Sequence, residues 1–204
     1  MPGGRRVKMG KVLLGIAVTA GLSAAAPSGP AGALDLQSVR DSHGRFTISL
    51  PTTWQIDQSR KDRALSAKSG GSQDAPPDTV EVFIRDMPFP VSPEACAGQV
   101  AWAMRMTIHQ WTTLSEGPDS IGGLPAYSRT YTWHVKSGEE HRSLQTCVPV
   151  GRRVFVIIGT TMNTPERIAQ IFPELTRMIG TFRPASAPDQ SAPGQNPSGG
   201  GTHN

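Results

Sequence analysis

Apolar and polar residues alternate in several short stretches, a pattern typical of strands with one buried face. In the first stretch Phe46, Ile48 and Leu50 share a face, Pro51 ends the strand, and Trp54 follows as a predicted core residue. The last stretch is continuously apolar, as expected of a central strand covered on both faces. The predicted strands span residues 45–50, 64–68, 79–86, 126–135, 140–148 and 154–158. Residues 136–139 are predicted to join two of them as a hairpin.

Two longer segments repeat apolar residues at helical spacing. The first begins at Ser92, a capping residue followed by proline, and is predicted to run to about Trp111. Its predicted buried stripe is Cys96, Val100, Met104, Ile108 and Trp111. The second begins at Thr164 and ends at Gly180, and Pro173 should kink or split it. Its predicted stripe is Ile168, Ile171, Phe172, Leu175, Met178 and Ile179.

Strands that follow one another through hairpins form a mainly antiparallel sheet, and two amphipathic helices can cover it. The predicted fold class is therefore α+β, with an antiparallel sheet flanked by two main helices. One globular domain is expected over residues 34–184.

Both ends of the chain differ in composition from this domain. Four basic residues precede an apolar run over 12–26, and small residues lead to a cleavage pattern ending at Ala33. Residues 1–33 are thus predicted to be a signal peptide, and an uncleaved membrane anchor is the less favoured alternative. Residues 185–204 are rich in Ser, Pro and Gly and are predicted to be disordered. The expected product is secreted or extracytoplasmic and has no stable membrane span.

Removal of the predicted signal peptide would change the net charge of the chain. The full sequence has 20 basic and 16 acidic residues, a net charge of +4, and residues 1–33 hold four basic residues and no acidic one. The domain and tail together are therefore neutral. This balance excludes the basic surface typical of nucleic-acid binding, so no nucleic-acid partner is expected.

The two cysteines, Cys96 and Cys147, are predicted to form a disulfide, as paired cysteines commonly do in exported proteins. Cys96 lies on the helical stripe that faces the sheet. In the predicted hairpin register Cys147 pairs with Ser128, on the face opposite Tyr131 and Leu144. Two buried free thiols on separate faces are the alternative, because a register slip of one residue reverses the face of Cys147. Neither cysteine follows the apolar run, so no lipoprotein anchor is expected.

Short motifs in the domain resemble the PsbP-like fold family. They are the strand with Pro51 and Trp54 at its end, the turn Gly123-Leu124-Pro125-Ala126, and the closing segment that ends in Gly180-Thr181-Phe182-Arg183. The resemblance covers about residues 44–184. It implies an antiparallel sheet between helices, an α/β/α sandwich, and a non-catalytic domain that binds other proteins.

The hairpin offers a possible metal site. In the predicted register His134 and His141 lie directly opposite one another, with Glu139 and Glu140 nearby. Two imidazoles and a carboxylate could bind zinc or copper. We favour a polar hairpin tip, because a metal site needs three or four fixed ligands.

Trp102 and Met106 lie one turn apart on the first helix, away from its stripe. They could form a partner-binding patch, or the helix could be buried on a second side. The sequence leaves both alternatives open.

No catalytic motif is recognisable: the chain has no nucleophile elbow, zinc-protease helix, phosphate loop or Cys-x-x-Cys. The favoured function is an exported, non-catalytic binding or accessory module with an unidentified protein partner and no cofactor. A metal- or ligand-binding carrier using His134 and His141 is the alternative, and an unrecognised hydrolase is the third possibility.

Overall fold

The computed structural model describes residues 34–70 and 76–185. The predicted signal peptide lies outside the described residues, as does the predicted tail from residue 186 onward. Within the described part the strands are β1 (Leu36–Arg40), β2 (Phe46–Pro51), β3 (Gln55–Asp57), β4 (Leu65–Lys68), β5 (Thr79–Asp86), β6 (His109–Ile121), β7 (Leu124–His134), β8 (Glu140–Val150), β9 (Arg153–Met162) and β10 (Arg183–Pro184). The helices are α1 (Pro93–Arg105), α2 (Pro165–Gln170) and α3 (Phe172–Gly180).

The strands form two antiparallel sheets. The larger sheet has seven strands in the order β3-β4-β5-β9-β8-β7-β6, and the smaller has the order β1-β2-β10. The predicted fold class, α+β with a mainly antiparallel sheet, is confirmed.

Strand β9 lies at the centre of the larger sheet and is covered on both faces. Its alternate residues Phe155 and Ile157 belong to the core cluster that includes α3. The intervening residues Val154, Val156 and Ile158 belong to a second cluster with α1. The helices therefore pack on opposite faces, and the predicted buried central strand is confirmed.

The main core joins the smaller sheet to α3 and the larger sheet. Three rings meet there: Phe46, Phe155 and Phe182, with centroids 5.2–6.2 Å apart. Trp54, expected to be a core residue, is 7% exposed.

The second predicted helix is split, as expected from Pro173. Helix α2 ends at Gln170 and α3 begins at Phe172. Because proline lacks an N–H group and crowds the preceding turn, a continuous helix would be strained at this point.

The first predicted helix is shorter than expected. Helix α1 ends at Arg105, so Trp111 lies on β6 rather than on the helix stripe. The Thr107 hydroxyl bonds the carbonyl of Met104 at 3.0 Å, and Gln110 has φ of 51°. The β-branched and aromatic residues that follow favour an extended chain. Apolar positions at helical spacing thus continued past the true helix end by coincidence, and strand β6 was not predicted.

The predicted register of the β7–β8 hairpin is wrong by one residue. His134 pairs with Glu140 and Tyr127 pairs with Cys147. The turn contains Gly138 at φ of 98°, with its N–H donating to the Val135 carbonyl at 2.9 Å. A glycine at positive φ adds one residue to the turn and moves the pairing by one position.

Candidate interaction site

Helix α1 is held on the larger sheet by small side chains and one buried arginine. It lies over β6, β7 and β8, and its buried residues are Cys96, Ala97 and Ala101. The two alanines permit close approach of the helix backbone. Arg129 of β7 donates to the Ala97 carbonyl at 2.9 Å and to the Glu116 carboxylate at 2.5 Å.

The N-terminus of α1 forms as its sequence predicts. The Ser92 hydroxyl accepts a hydrogen bond from the Ala95 N–H at 3.2 Å, and Pro93 occupies the first turn. Capping satisfies a backbone N–H that would otherwise lack a partner. The helix therefore starts at a fixed residue, which sets the direction of every side chain along it.

The outer face of α1 carries large apolar side chains in solvent. Trp102 is 70% exposed and Met106 is 73% exposed. The other exposed positions on this side of α1 are the small or uncharged Ala95, Gly98, Gln99 and Ala103 and the cation Arg105. No element of the described residues covers this side of α1, so a second buried side is not what the structure shows, and the partner patch remains a prediction.

The C-terminal end of α1 is braced by an aromatic stack. Trp111 of β6 stacks on Tyr131 of β7 with ring centroids 3.7 Å apart, and the Arg105 guanidinium lies 5.8 Å from the Trp111 ring. The Tyr131 hydroxyl donates to Met104 Sδ at 3.6 Å. Burial raises the pKa of Tyr131 above its usual range. The helix thus presents Trp102 and Met106 from a fixed support.

The two cysteines meet beneath α1. Both are buried and are present as free thiols. A hydrogen bond between the Cys96 and Cys147 side chains raises the pKa of Cys147, and burial raises it further. Cys147 lies on the face of Tyr131, contrary to the predicted register, and α1 covers that same face. The disulfide itself remains a prediction.

The structure separates the two hairpin histidines. His134 pairs with Glu140, whereas His141 pairs with Trp133, so the imidazoles lie on opposite faces of the sheet. His141 stacks on Trp133 at 5.0 Å and is largely buried. The predicted facing pair is therefore wrong, because the register differs by one residue. In residues 34–70 and 76–185 no three His, Cys, Asp or Glu side chains form a group that could hold a metal ion.

Sequence reasoning missed the buried arginine and two exposed apolar residues. Arg129 lies in the predicted strand over residues 126–135, and no pattern in the sequence indicated that it is buried. Phe89, in the segment before α1, and Leu114, on β6, are 62% and 48% exposed. Strand β6 was not predicted, so nothing in the pattern indicated the position of Leu114.

No helix of the described residues is both long and apolar enough to cross a membrane.

Comparison of the sequence matches the chain to no protein-family model and to no curated protein. Its structure is similar to that of cyanobacterial PsbP (CyanoP) from Synechocystis, with a TM-score of 0.56, 12% identity, and coverage of 79% of this chain and 99% of that one.

Two further solved structures are similar. The Ran-binding protein Mog1p of Saccharomyces cerevisiae gives a TM-score of 0.53 at 11% identity over 74% of this chain and 96% of that one. LpqN, involved in cell envelope biogenesis of Mycobacterium tuberculosis, gives 0.52 at 12% identity over 74% and 91%. The resemblance in the strand, turn and closing motifs is thereby confirmed at the level of structure. The chain has the PsbP-like fold.

Proposed function

We propose that this protein is an exported, non-catalytic binding module that contacts a protein partner through the outer face of α1. The exposure of Trp102 and Met106 is the observation that carries the proposal. Aromatic and methionine side chains are enriched at protein interfaces, and tryptophan buries a large area at small conformational-entropy cost.

The solved structures with this fold support a binding role. One is described as a Ran-binding protein and another as involved in cell envelope biogenesis. Similarity of fold suggests function only by analogy, so the proposed binding face rests on the surface of this chain. That surface is the helix face around Trp102 and Met106, on which both large apolar side chains are exposed.

Site-specific photo-crosslinking in the native host tests the proposal. A photoreactive amino acid at position 102 should capture one discrete protein outside the cytoplasm. The same amino acid at the exposed position Gln37, on β1 of the smaller sheet, is the matched control and should not capture it.

Competition makes the result specific. Excess unlabelled wild-type chain should abolish the cross-link, whereas a Trp102→Ser, Met106→Ser chain should not. Equal capture from positions 102 and 37, or equal competition by both chains, would contradict the proposed face.

A further inference from the structure

A cleft with strongly basic walls opens at the end of the molecule where the two sheets adjoin. It lies between the β1–β2 turn, the β3–β4 loop and the end of β5, and has a volume of about 340 Å³. Its lining includes five side-chain cations: Arg45, Arg60, Lys61, Arg63 and Arg85. Among the described residues that line it, Asp62 is the one carboxylate.

Hydrogen bonds between its walls preform the cleft. Gln58 of the β3–β4 loop accepts from the Ser42 N–H at 2.6 Å and donates to the Arg40 carbonyl at 3.1 Å. Arg45 is fixed by two hydrogen bonds, 2.7 and 2.9 Å long, to the buried carboxylate of Asp41. The walls of the cleft and Arg45 are therefore fixed before a ligand binds, whereas Lys61 and Arg85 are exposed and would be ordered by the ligand.

The cations are only partly neutralised. Arg63 pairs with Glu81 and Asp62, and Arg60 also contacts Asp62. Hydrogen bonds from Arg63 and Arg60 lower the pKa of Asp62 to about 2. Lys61 and Arg85 form no hydrogen bond or ion pair with any side chain in residues 34–70 and 76–185. Two exposed cations thus remain available to an anion.

We propose that this cleft binds a phosphate group of a ligand. Arginine guanidinium groups donate in a planar fork that matches phosphate oxygens, and lysine adds a compact charge. The cations surround one cleft rather than follow a long groove, so a compact phosphate fits better than an extended polyanion. The phosphate can belong to a soluble molecule or to a lipid headgroup.

Titration of the full chain with inorganic pyrophosphate, monitored by calorimetry, tests the site. A Lys61→Ala, Arg85→Ala variant should bind at least about tenfold more weakly, because each charge-assisted hydrogen bond contributes substantially. Both side chains are exposed, so the fold should be retained. A Lys68→Ala, Lys136→Ala variant is the matched control. It removes the same charge at two exposed positions that do not line the cleft, the last residue of β4 and the β7–β8 turn, and it should bind within about twofold of wild type.

Vesicles containing phosphatidylglycerol provide the second probe. If pyrophosphate binds, vesicles do not, and only the Lys61→Ala, Arg85→Ala variant weakens that binding, the phosphate belongs to a soluble ligand. If vesicles bind with the same dependence on this variant, whether or not pyrophosphate also binds, the phosphate is a lipid headgroup. The proposal is overturned if neither probe binds, if the variant binds like wild type, or if the control variant loses as much affinity.

Discussion

His141 illustrates how burial alters one residue. Its ring stacks on Trp133, and the residue is 7% exposed. Burial lowers the pKa of His141 below its usual range, and the Glu139 carboxylate offsets only part of this effect. In the unfolded chain the imidazole regains its ordinary pKa. As the pH falls through that value the unfolded state takes up the proton first, so the free energy of unfolding decreases.

The urea midpoint should therefore fall between about pH 7.5 and about pH 5.5, and His141→Gln should reduce this decrease. His43→Gln, at an exposed position, is the matched control and should keep the wild-type pH dependence. An unchanged pH dependence in His141→Gln would show that the ring is not desolvated in the native state.

Two tryptophan residues show how far the sequence predicts the burial of a single side chain. Trp54 follows an alternating strand and was predicted to be buried, as it is. For Trp102 the sequence left two alternatives, an exposed patch and a second buried side of the helix. Both have the same spacing of apolar residues along the chain. Only the packing of the surrounding elements decides whether such a side chain is exposed. The sequence could therefore name Trp102 and Met106 as candidates, but it could not show whether they are exposed.

At the scale of elements, the sequence predicted well those strands and helices that have strong local patterns, but it predicted their ends poorly. Strand β5 and the split between α2 and α3 follow from alternation and from Pro173. The end of α1 depended on Thr107 bonding back to the helix, and the hairpin register depended on Gly138. Each is a choice between two locally plausible conformations, and a period of apolar residues does not distinguish them.

The packing of α1 on β8 places Cys96 against Cys147, with 50 residues between them in the sequence. In the exported protein we expect a disulfide here, and in the chain-entropy model a loop of this size stabilises the fold by about 4 kcal/mol. Reducing agent should lower the urea midpoint of wild type. The double variant Cys96→Ala, Cys147→Ala should not respond. Two free thiols per chain in denatured, unreduced protein would rule the disulfide out.

At the scale of the whole molecule, the fold class followed from the order of elements, although four strands were not predicted. Strands β1, β3 and β10 are short or at a sheet edge, and β6 is an edge strand with register irregularities. Such strands have weak alternation, because one or both of their faces contact solvent. The motifs for the PsbP-like fold depend on Pro, Gly and aromatic residues at strand ends and turns, so they were recognisable even beside strands that were not predicted.

The proposed export also concerns the whole chain. Leu34 packs on the main core, and its carbonyl accepts a hydrogen bond from Arg177 at 2.7 Å. Cleavage after Ala33 would therefore leave this contact intact. N-terminal sequencing of secreted protein should begin near Leu34, and Ala31→Leu with Ala33→Leu should block that cleavage. Secreted protein that retains Met1 would contradict export through a cleaved signal peptide.

The affinity for the cross-linked partner tests the central claim most directly. Because Trp102 and Met106 are exposed, Trp102→Ser with Met106→Ser should change the free energy of unfolding by less than about 1 kcal/mol. The same variant should bind the partner at least about tenfold more weakly, as expected when interface anchors are removed. Unchanged affinity in this folded variant would contradict the account.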